Sequence, residues 1–580
     1  MVLHQYDYLF AIGTIFAGLD AWNIGANDVA NSWATSVASQ SVTYLQAMLL
    51  ASVMEFAGAV GVGARVADTI RTKIVDIDQF ETNPELLMLG MVCAVVASSL
   101  YLTFATRIGM PVSTTHSILG GVIGMGVASL GADGVMWVSD TGSINSGVVQ
   151  VFLAWIIAPG LAGCFAAILF LITKYTVMVR SNPAIWALRV VPAYFGLTAM
   201  LLTMLLLWKG GGYEVTLTEP EIAGTIVGVG AAFALFIGVT LTPWMYRVVI
   251  KDDWQLRWYH IPMGLLLLRR GEVPPPPEDL DTGVKDYYEG RLTKEQLDAR
   301  KAGERDDVEV VGEGNQEKTK NAEGSDAAST ERTGQSPLTN VRKAPKKLVG
   351  PKPEGKWYQG HVLFWYFKFA LLRGLDQEVV HAKSTNDKLA GNLEEVHAHA
   401  QHFDNRTEYM YSFLQIMTAA TASFVHGAND IANAIGPYAS VFQIWNETPL
   451  GSKSEVPVWI LVFGAAMLVI GVWTYGYNIM RNLGNRLTLQ SPSRGFCMEL
   501  GSAITVILAT RLKLPVSTTQ CITGATVGVG LCSGTWRTVN WRMVAWIYLG
   551  WIITLPVTGI ISGCLMGIII NAPQWGKVRA

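Results

Sequence analysis

Two short motifs each occur twice in this chain, and their repetition constrains its fold more than any other feature. Residues 25–31 read G-A-N-D-V-A-N, and residues 427–433 read G-A-N-D-I-A-N. The string P-V-S-T-T occurs at residues 111–115 and again at 515–519. The aspartate precedes the serine by 85 residues in the first copy and by 87 in the second. Matched motifs at matched spacing indicate an ancient internal duplication.

The chain around these motifs is apolar enough for a membrane. Of its 580 residues, 51% are hydrophobic and 15% are charged, whereas soluble domains carry about 25% charged residues. Its apolar runs have the length of helices that span roughly 30 Å of hydrocarbon. We predict about twelve transmembrane segments, near residues 8–24, 44–64, 86–106, 111–131, 148–173, 190–208, 222–246, 408–426, 457–478, 495–510, 515–532 and 543–570.

The number of spans between the two copies predicts how the halves are related. Seven predicted spans separate the two starts, and an odd number reverses the direction of the chain across the membrane. We therefore predict an all-α polytopic membrane protein with two inverted-topology repeats, and broken or half helices at the midplane near the substrate. The two transmembrane halves are residues 1–250 and 406–580. Residues 251–405, rich in Pro, Gly and charge at their centre, are predicted to be a largely disordered loop.

Basic residues in the short loops predict the orientation. Most of them cluster on one predicted side, which the positive-inside rule assigns to the cytosol. The exception is the 65–81 loop on the predicted outer face, where Arg65, Arg71 and Lys73 lie among four acidic residues. Both termini are then extracellular and the 251–405 loop is cytosolic. The basic residues on the cytosolic side are Lys174, Arg180, Arg189, Arg247, Lys251, Arg481, Arg486 and Arg494.

The repeated aspartates, Asp28 and Asp430, predict cation sites. An ionised carboxylate at membrane depth costs at least about 2.5–3.5 kcal/mol, so such residues are usually functional. Gly25 and Gly427 permit a break in each helix, which would expose carbonyl oxygens beside the carboxylate and its neighbouring asparagines. These hard oxygen ligands suit Na⁺. The alternative is an interfacial Asn-Asp turn, which repetition disfavours.

The repeated P-V-S-T-T strings predict an anion site. Pro111 and Pro515 suit the first turn of a helix, and the hydroxyl residues then lie beside unpaired amide groups. A helix N-terminus concentrates positive potential and hydrogen-bond donors, which favours an oxyanion. The alternative is helix packing through small residues. The hydroxyl residues are Ser113, Thr114, Thr115, Ser517, Thr518 and Thr519.

Two further acids, Glu55 and Glu499, lie inside apolar runs. Each is predicted to bind a cation or accept a proton, or alternatively to pair with an arginine. Small-residue pairs such as Gly120/Gly124 and Gly524/Gly528 predict close helix packing.

Several functions are disfavoured. A formal net charge of −2 implies no nucleic-acid partner. No nucleophile–base pair or metal-ligand cluster accompanies the repeats, so we predict that the chain is not an enzyme and has no cofactor apart from Na⁺ as coupling ion. The bilayer, a tetrahedral oxyanion and Na⁺ are the partners that these motifs predict.

At these motifs the chain resembles the PiT family of inorganic phosphate transporters, especially its fungal sodium–phosphate symporters. The resemblance covers residues 1–250 and 406–580 and includes Q-S-P-S-R-G-F at 490–496. It implies sodium-coupled phosphate import at the plasma membrane, strongest under phosphate starvation and alkaline conditions, by a homodimer of inverted repeats. We predict that import proceeds by alternating access, in which the loaded halves rock to release Na⁺ and phosphate inside.

The resemblance also implies residue roles. Asn31 and Asn433 would join the six hydroxyl residues in binding phosphate. Sodium would be bound by Asn27, Asp28, Asn429, Asp430, Glu55 and Glu499. Met91 stands where animal relatives have a third acid, which leaves the role of that position open. Open alternatives are a proton-coupled phosphate carrier, a sulfate carrier and a nutrient-sensing receptor.

Overall fold

The computed structural model describes residues 4–64, 77–138, 147–209, 217–276, 284–302, 348–372, 374–375, 391–446, 456–512, 514 and 516–572. Within these residues the chain is almost entirely helical and has no β-strand beyond one isolated bridge. The first half contains α1 (Asp7–Ala38), α2 (Tyr44–Val62), α3 (Pro84–Ile108), α4 (Thr114–Leu130), α5 (Val148–Thr173), α6 (Pro183–Lys209) and α7 (Glu219–Met245).

The connecting stretch and the second half supply the remaining helices. Between the halves lie a 3-10 helix at Trp258–Arg269, α8 (Gly360–Leu372) and α9 (Leu393–Ala398). The second half contains α10 (Asn405–Trp445), α11 (Val458–Leu483), α12 (Pro492–Arg511), α13 (Thr518–Cys532) and α14 (Trp541–Ile570). Short π-helical turns extend α5 to Met178 and α7 to Ile250.

The surface of the bundle is apolar while its centre holds polar groups. Ile156, Leu235 and Ile560 are each at least 66% exposed, whereas Asp28 and Glu55 are at most 1% exposed. This arrangement is typical of a protein whose outer face meets lipid. Eight of the described helices are long and apolar enough to cross a membrane: α1, α2, α3, α5, α6, α7, α11 and α14. The prediction of an all-α polytopic membrane protein is confirmed, and the count of twelve spans stays a prediction.

The predicted helix breaks at Gly25 and Gly427 are wrong. Both α1 and α10 continue as unbroken helices through the G-A-N-D motifs. The glycines serve packing instead. A Cβ on Gly25 would lie 1.9 Å from the carbonyl oxygen of Leu468, and one on Gly427 would lie 2.3 Å from that of Glu55. Only a residue without a side chain permits helices this close.

The interruptions fall at the P-V-S-T-T motifs. Helix α3 ends at Ile108, and α4 begins after Ser113, which caps it with extended backbone. Helix α12 ends at Arg511, and α13 begins after Ser517. Pro111 therefore lies in the link before α4 and not in its first turn, which corrects that prediction. Pro515 lies outside the described residues.

The small-residue pairs of α4 and α13 pack as predicted. A Cβ on Gly124 would lie 2.0 Å from the carbonyl oxygen of Gly559, so α4 lies directly against α14. A Cβ on Gly528 would lie 2.3 Å from the carbonyl oxygen of Gly163, so α13 lies equally close to α5. Each hydroxyl-rich helix is thus held by one long apolar helix of the bundle.

Parts of the 251–405 stretch pack on the bundle. Tyr287 and Tyr288 are buried, and the Tyr288 hydroxyl donates to Glu408 Oε1 over 2.8 Å. The Arg494 guanidinium donates to the Ser533 hydroxyl over 3.0 Å and lies over the Phe403 ring. Residues 303–347, most of the segment predicted to be disordered, lie outside the described residues.

Candidate functional site

The two repeated aspartates meet the two repeated hydroxyl motifs at the centre of the bundle. The Thr114 hydroxyl donates to Asp28 Oδ2 over 2.8 Å, and the Thr518 hydroxyl donates to Asp430 Oδ2 over 2.7 Å. Each aspartate therefore accepts a hydrogen bond from the helix start of its own half. All four side chains are buried.

The asparagines at the ends of the G-A-N-D motifs cross between the halves. Asn31 Nδ2 donates to the hydroxyls of Thr518 and Thr519, over 3.2 and 2.9 Å. Asn433 Nδ2 donates to those of Thr114 and Thr115, both over 3.2 Å. The two sets of contacts repeat each other with the halves exchanged. A single buried network thus joins residues that lie more than 300 positions apart in sequence.

Thr519 links the network to the backbone of the other half. Its hydroxyl lies 3.2 Å from Asp28 Oδ1 and 3.1 Å from the carbonyl oxygen of Val112. The starts of α4 and α13 therefore face each other across the aspartates. Because the first amide groups of a helix have no partner inside it, both starts offer donors to this region.

Asn27 connects the site to its surroundings. Its amide nitrogen donates to Thr106 and to the carbonyl oxygen of Met110, while its oxygen accepts from the Val112 amide over 3.2 Å. Both ends of this side chain are therefore engaged with the α3–α4 link. Asn429, its counterpart, is only partly buried and donates to Asp430 over 2.9 Å.

A histidine absent from the predicted site, His426, lies between three acids. Its Nδ1 is 2.6 Å from Glu55 Oε2. Its Nε2 is 3.0 Å from Asp430 Oδ2 and 3.7 Å from Asp28 Oδ2. Nε2 lies outside hydrogen-bond geometry with either aspartate. Three buried carboxylates around one imidazole need compensating positive charge, from a protonated ring or from a cation.

The donor set at this point fits a cation. One oxygen of Asp28, one of Asp430 and a ring nitrogen of His426 lie within 4.8 Å of one another. The carboxylates and the threonine hydroxyls around them are hard oxygen ligands, which suit Na⁺ better than a soft metal. Because α1 and α10 are unbroken here, side chains and not freed carbonyls supply these oxygens.

Glu499 forms a second polar cluster, separate from the aspartates. Its Oε1 accepts from the hydroxyls of Thr35 and Ser36 over 2.6 and 2.7 Å, and from the Gln415 amide over 3.2 Å. Its Oε2 accepts from Thr418. All of these groups are buried. Thr35 is seven residues after Asp28, so the clusters lie about 10 Å apart along α1.

The remaining candidate residues have local roles in the structure. Ser113 Oγ accepts from the His116 amide over 3.2 Å and so caps α4. Ser517 is buried at the equivalent place in α13 but makes no capping bond with its side chain. Met91 is buried in the apolar core.

Sequence reasoning missed His426, Asp20 and the residues around Glu499. His426 directly precedes the second G-A-N-D motif and Asp20 lies inside the first apolar run. Both are ionisable residues at membrane depth, a signal that would have identified them. Gln415, Thr418 and Thr35 give no such signal, because single polar residues in transmembrane helices commonly serve packing.

Comparison with known proteins places this architecture in a family. Residues 24–562 match the Phosphate transporter family, which is most of the chain. The chain belongs to that family. It is 69% identical to the phosphate-repressible phosphate permease pho-4 of Neurospora crassa, over 99% of this chain and all of that protein. It is 26% identical to sodium-dependent phosphate transporter 2 of Homo sapiens, over 98% and 99% of the two chains.

A solved structure shares the fold of this phosphate transporter family member. The structure, titled the sodium-dependent phosphate transporter, matches 98% of this chain and 100% of its own, with a TM-score of 0.63 and 24% identity. The resemblance inferred from the motifs is thus confirmed. So is the prediction of a multi-pass membrane transporter and not an enzyme.

Proposed function

We propose that this protein imports inorganic phosphate together with Na⁺ across the plasma membrane. The observation that carries the proposal is the buried network in which Asp28 and Asp430 meet the hydroxyl-rich starts of α4 and α13. Relatives named as a phosphate permease and as sodium-dependent phosphate transporters support both ligands.

Charge gives the coupling a physical cause. Among the described residues, the ion pairs of Asp28, Glu55 and Asp430 are all with His426. A phosphate anion about 4 Å from an ionised carboxylate meets a repulsion of about 4 kcal/mol at an effective dielectric constant of 20. Bound Na⁺ removes that repulsion and supplies attraction. Each ligand then raises the affinity for the other by the same factor.

Residue roles follow from this arrangement. Phosphate is held by the helix starts and the asparagines, that is, by Ser113, Thr114, Thr115, Ser517, Thr518, Thr519, Asn31 and Asn433. Sodium is held at Asp28 and Asp430, with Asn27, Asn429 and Glu55 close by and Glu499 in the second cluster. The threonine hydroxyls now bonded to the aspartates turn toward phosphate when Na⁺ takes their place.

Transport by alternating access requires two arrangements of the halves around one central site. The exchanged contacts of Asn31 and Asn433 support two inverted repeats that rock about this site in a homodimer. Both termini would be extracellular and residues 251–405 cytosolic. A high external Na⁺ concentration favours loading outside, and a low cytosolic concentration favours release.

Proton coupling is a second candidate, supported by the position of His426 between three acids. Clusters of histidine and acids within a membrane can carry protons, and a proton held by this cluster would replace one Na⁺. Sulfate is a further candidate substrate because it has the same tetrahedral shape.

Uptake by purified protein in proteoliposomes separates these possibilities. We expect ³²P-phosphate uptake to require an inward Na⁺ gradient, to resist a tenfold excess of sulfate and to persist without a pH gradient. If Na⁺ were replaced by K⁺ and a proton gradient then drove uptake equally well, sodium coupling would be refuted. Strong competition by sulfate would refute phosphate selectivity.

A further inference from the structure

A second buried acid on α1, Asp20, lies outside the site described above. Its side chain is 0% exposed, as are Asn23, Ser98 and Ser99 around it. No lysine, arginine or histidine of the described residues forms an ion pair with Asp20. The equivalent position in the second half is Ala422, so this acid is not part of the duplicated network.

The Asp20 carboxylate lacks effective hydrogen-bond donors. Its Oδ2 has no partner, and its Oδ1 is 3.4 Å from the Ser99 hydroxyl. That hydroxyl has a single proton and two nearer acceptors, the carbonyl oxygens of Val95 and Phe16 at 2.8 and 2.9 Å. A fully buried carboxylate in this condition is costly, because its lost hydration is not replaced.

Two neighbouring oxygens are also without partners. Asn23 Oδ1 is buried and unbonded, while Nδ2 of the same amide donates to the carbonyl oxygens of Leu19 and Ser99 and to Thr103 Oγ1. These acceptors fix which end of the amide is oxygen. The Ser98 hydroxyl lies close enough to interact with the Asp20 carboxylate, but the two groups are outside hydrogen-bond geometry.

We propose that Asp20, Asn23 and Ser98 form an accessory Na⁺ site between α1 and α3. A carboxylate, an amide oxygen and a hydroxyl are hard ligands of the kind that bind Na⁺, and each of these three residues has a buried oxygen without a hydrogen-bond partner. A proton would satisfy Asp20 and at most one further oxygen. The inference rests on the proposed function only for the identity of the ion.

The site is continuous with the central network. Along α1 and α3, Asn23 bonds to Thr103, and Asn27 one turn further bonds to Thr106. Asp20 is eight residues before Asp28, about 12 Å along the helix. Sodium at Asp20 would therefore lie at one end of a row of polar side chains, and the proposed phosphate site lies at the other end.

Direct binding of ²²Na⁺ to the purified full-length protein, without phosphate, tests the site. We expect Asp20→Asn to abolish one class of bound Na⁺, and Ser98→Ala to lower its affinity about tenfold. The Ser98 hydroxyl makes no hydrogen bond that its alanine variant would lose, so we expect that variant to fold as the wild type does. Asp133→Asn, at an exposed acid, is the matched control and should bind Na⁺ as the wild type does.

The outcomes separate this proposal from the central one. Wild-type Na⁺ binding in both Asp20→Asn and Ser98→Ala would overturn the accessory site. If Asp28→Asn nevertheless lost bound Na⁺ in the same assay, sodium coupling would stand without the accessory site. A changed pH dependence of uptake with unchanged Na⁺ binding in Asp20→Asn would assign a proton to this acid, and so overturn the Na⁺ site. No Na⁺ binding by the wild type would overturn both proposals.

Discussion

Asn31 Nδ2 lies 2.9 Å from the hydroxyl oxygen of Thr519, a residue 488 positions later in the chain. The contact joins the first G-A-N-D motif to the second P-V-S-T-T motif, and Asn433 makes the reciprocal contact with Thr115. The halves are therefore bound to each other through the residues proposed to hold phosphate. We therefore expect phosphate binding and the relative position of the halves to be coupled through these side chains.

A double-mutant cycle measures that coupling. We expect Asn31→Ala and Thr519→Val each to weaken phosphate binding, and the double variant to lose less than the sum, with an interaction energy of about 0.5–3 kcal/mol. The measurement is the Michaelis constant for phosphate at saturating Na⁺. Thr519→Ser keeps the hydroxyl and should stay close to wild type. Additive losses would contradict a direct coupling of these side chains.

Removing His426 should destabilise the protein by leaving three carboxylates unopposed. Breaking a buried ion pair from one side typically costs about 3–5 kcal/mol. We expect His426→Gln to lower the melting temperature in detergent, and Glu55→Gln added to it to restore part of the loss. Glu55 is the natural second site because its Oε2 is 2.6 Å from His426 Nδ1. A double variant less stable than His426→Gln would show that the acids do not repel one another.

Gly25→Ala should disrupt the packing of α1 against α11. The new methyl group would lie 1.9 Å from the carbonyl oxygen of Leu468, and overpacking of this kind costs about 1–3 kcal/mol or more. We expect lower thermal stability and reduced surface expression. Gly238→Ala is the control, because a Cβ there meets nothing within 4 Å. Equal stability of the two variants would contradict the packing role of Gly25.

Acidification should weaken the packing of residues 391–404, the segment before α10, against the rest of the protein. Burial, and to a smaller extent the positive charge of Arg291, lowers the pKa of His397 to about 3, against 6.5 for a free histidine. Between pH 3 and 6.5, His397 binds a proton when the segment is detached from the protein but not when the segment is packed against it. The packed state is therefore fully stable above pH 6.5 and becomes less stable as the pH falls toward 3.

Hydrogen exchange of residues 391–404 in the full-length protein checks this effect. One pH unit below 6.5, the free energy that holds the segment in place falls by about 1.4 kcal/mol. We therefore expect exchange about tenfold faster at pH 5.5 than at pH 7.5, after correction for intrinsic rates. Burial also lowers the pKa of His402 in the same segment, so His397→Gln should reduce the difference and His397→Gln with His402→Gln should abolish it. The same pH dependence in the double variant would assign it to another group.

The sequence predicted the membrane class, the family and most residues of the central network, because ionisable residues and repeats stand out against an apolar background. It misplaced the helix breaks, since Gly25 and Gly427 have two possible uses, bending and close packing. Only the position of Leu468 and Glu55 against them decides between the two. The partners of Glu499 were beyond prediction, because Thr35 and Thr418 are recognisable only once three helices are assembled.

The central claim is that Asp28 and Asp430 hold the cations that allow phosphate to bind between the helix starts. Sodium-dependent ³²P-phosphate uptake by Asp28→Asn and Asp430→Asn tests it most directly, in cells lacking other phosphate transporters and normalised to surface abundance. Asp133→Asn should transport as the wild type does. We predict a loss of at least about 30-fold in both aspartate variants, the typical cost of removing one partner of a buried charge pair. Wild-type sodium-dependent uptake in both would contradict the account.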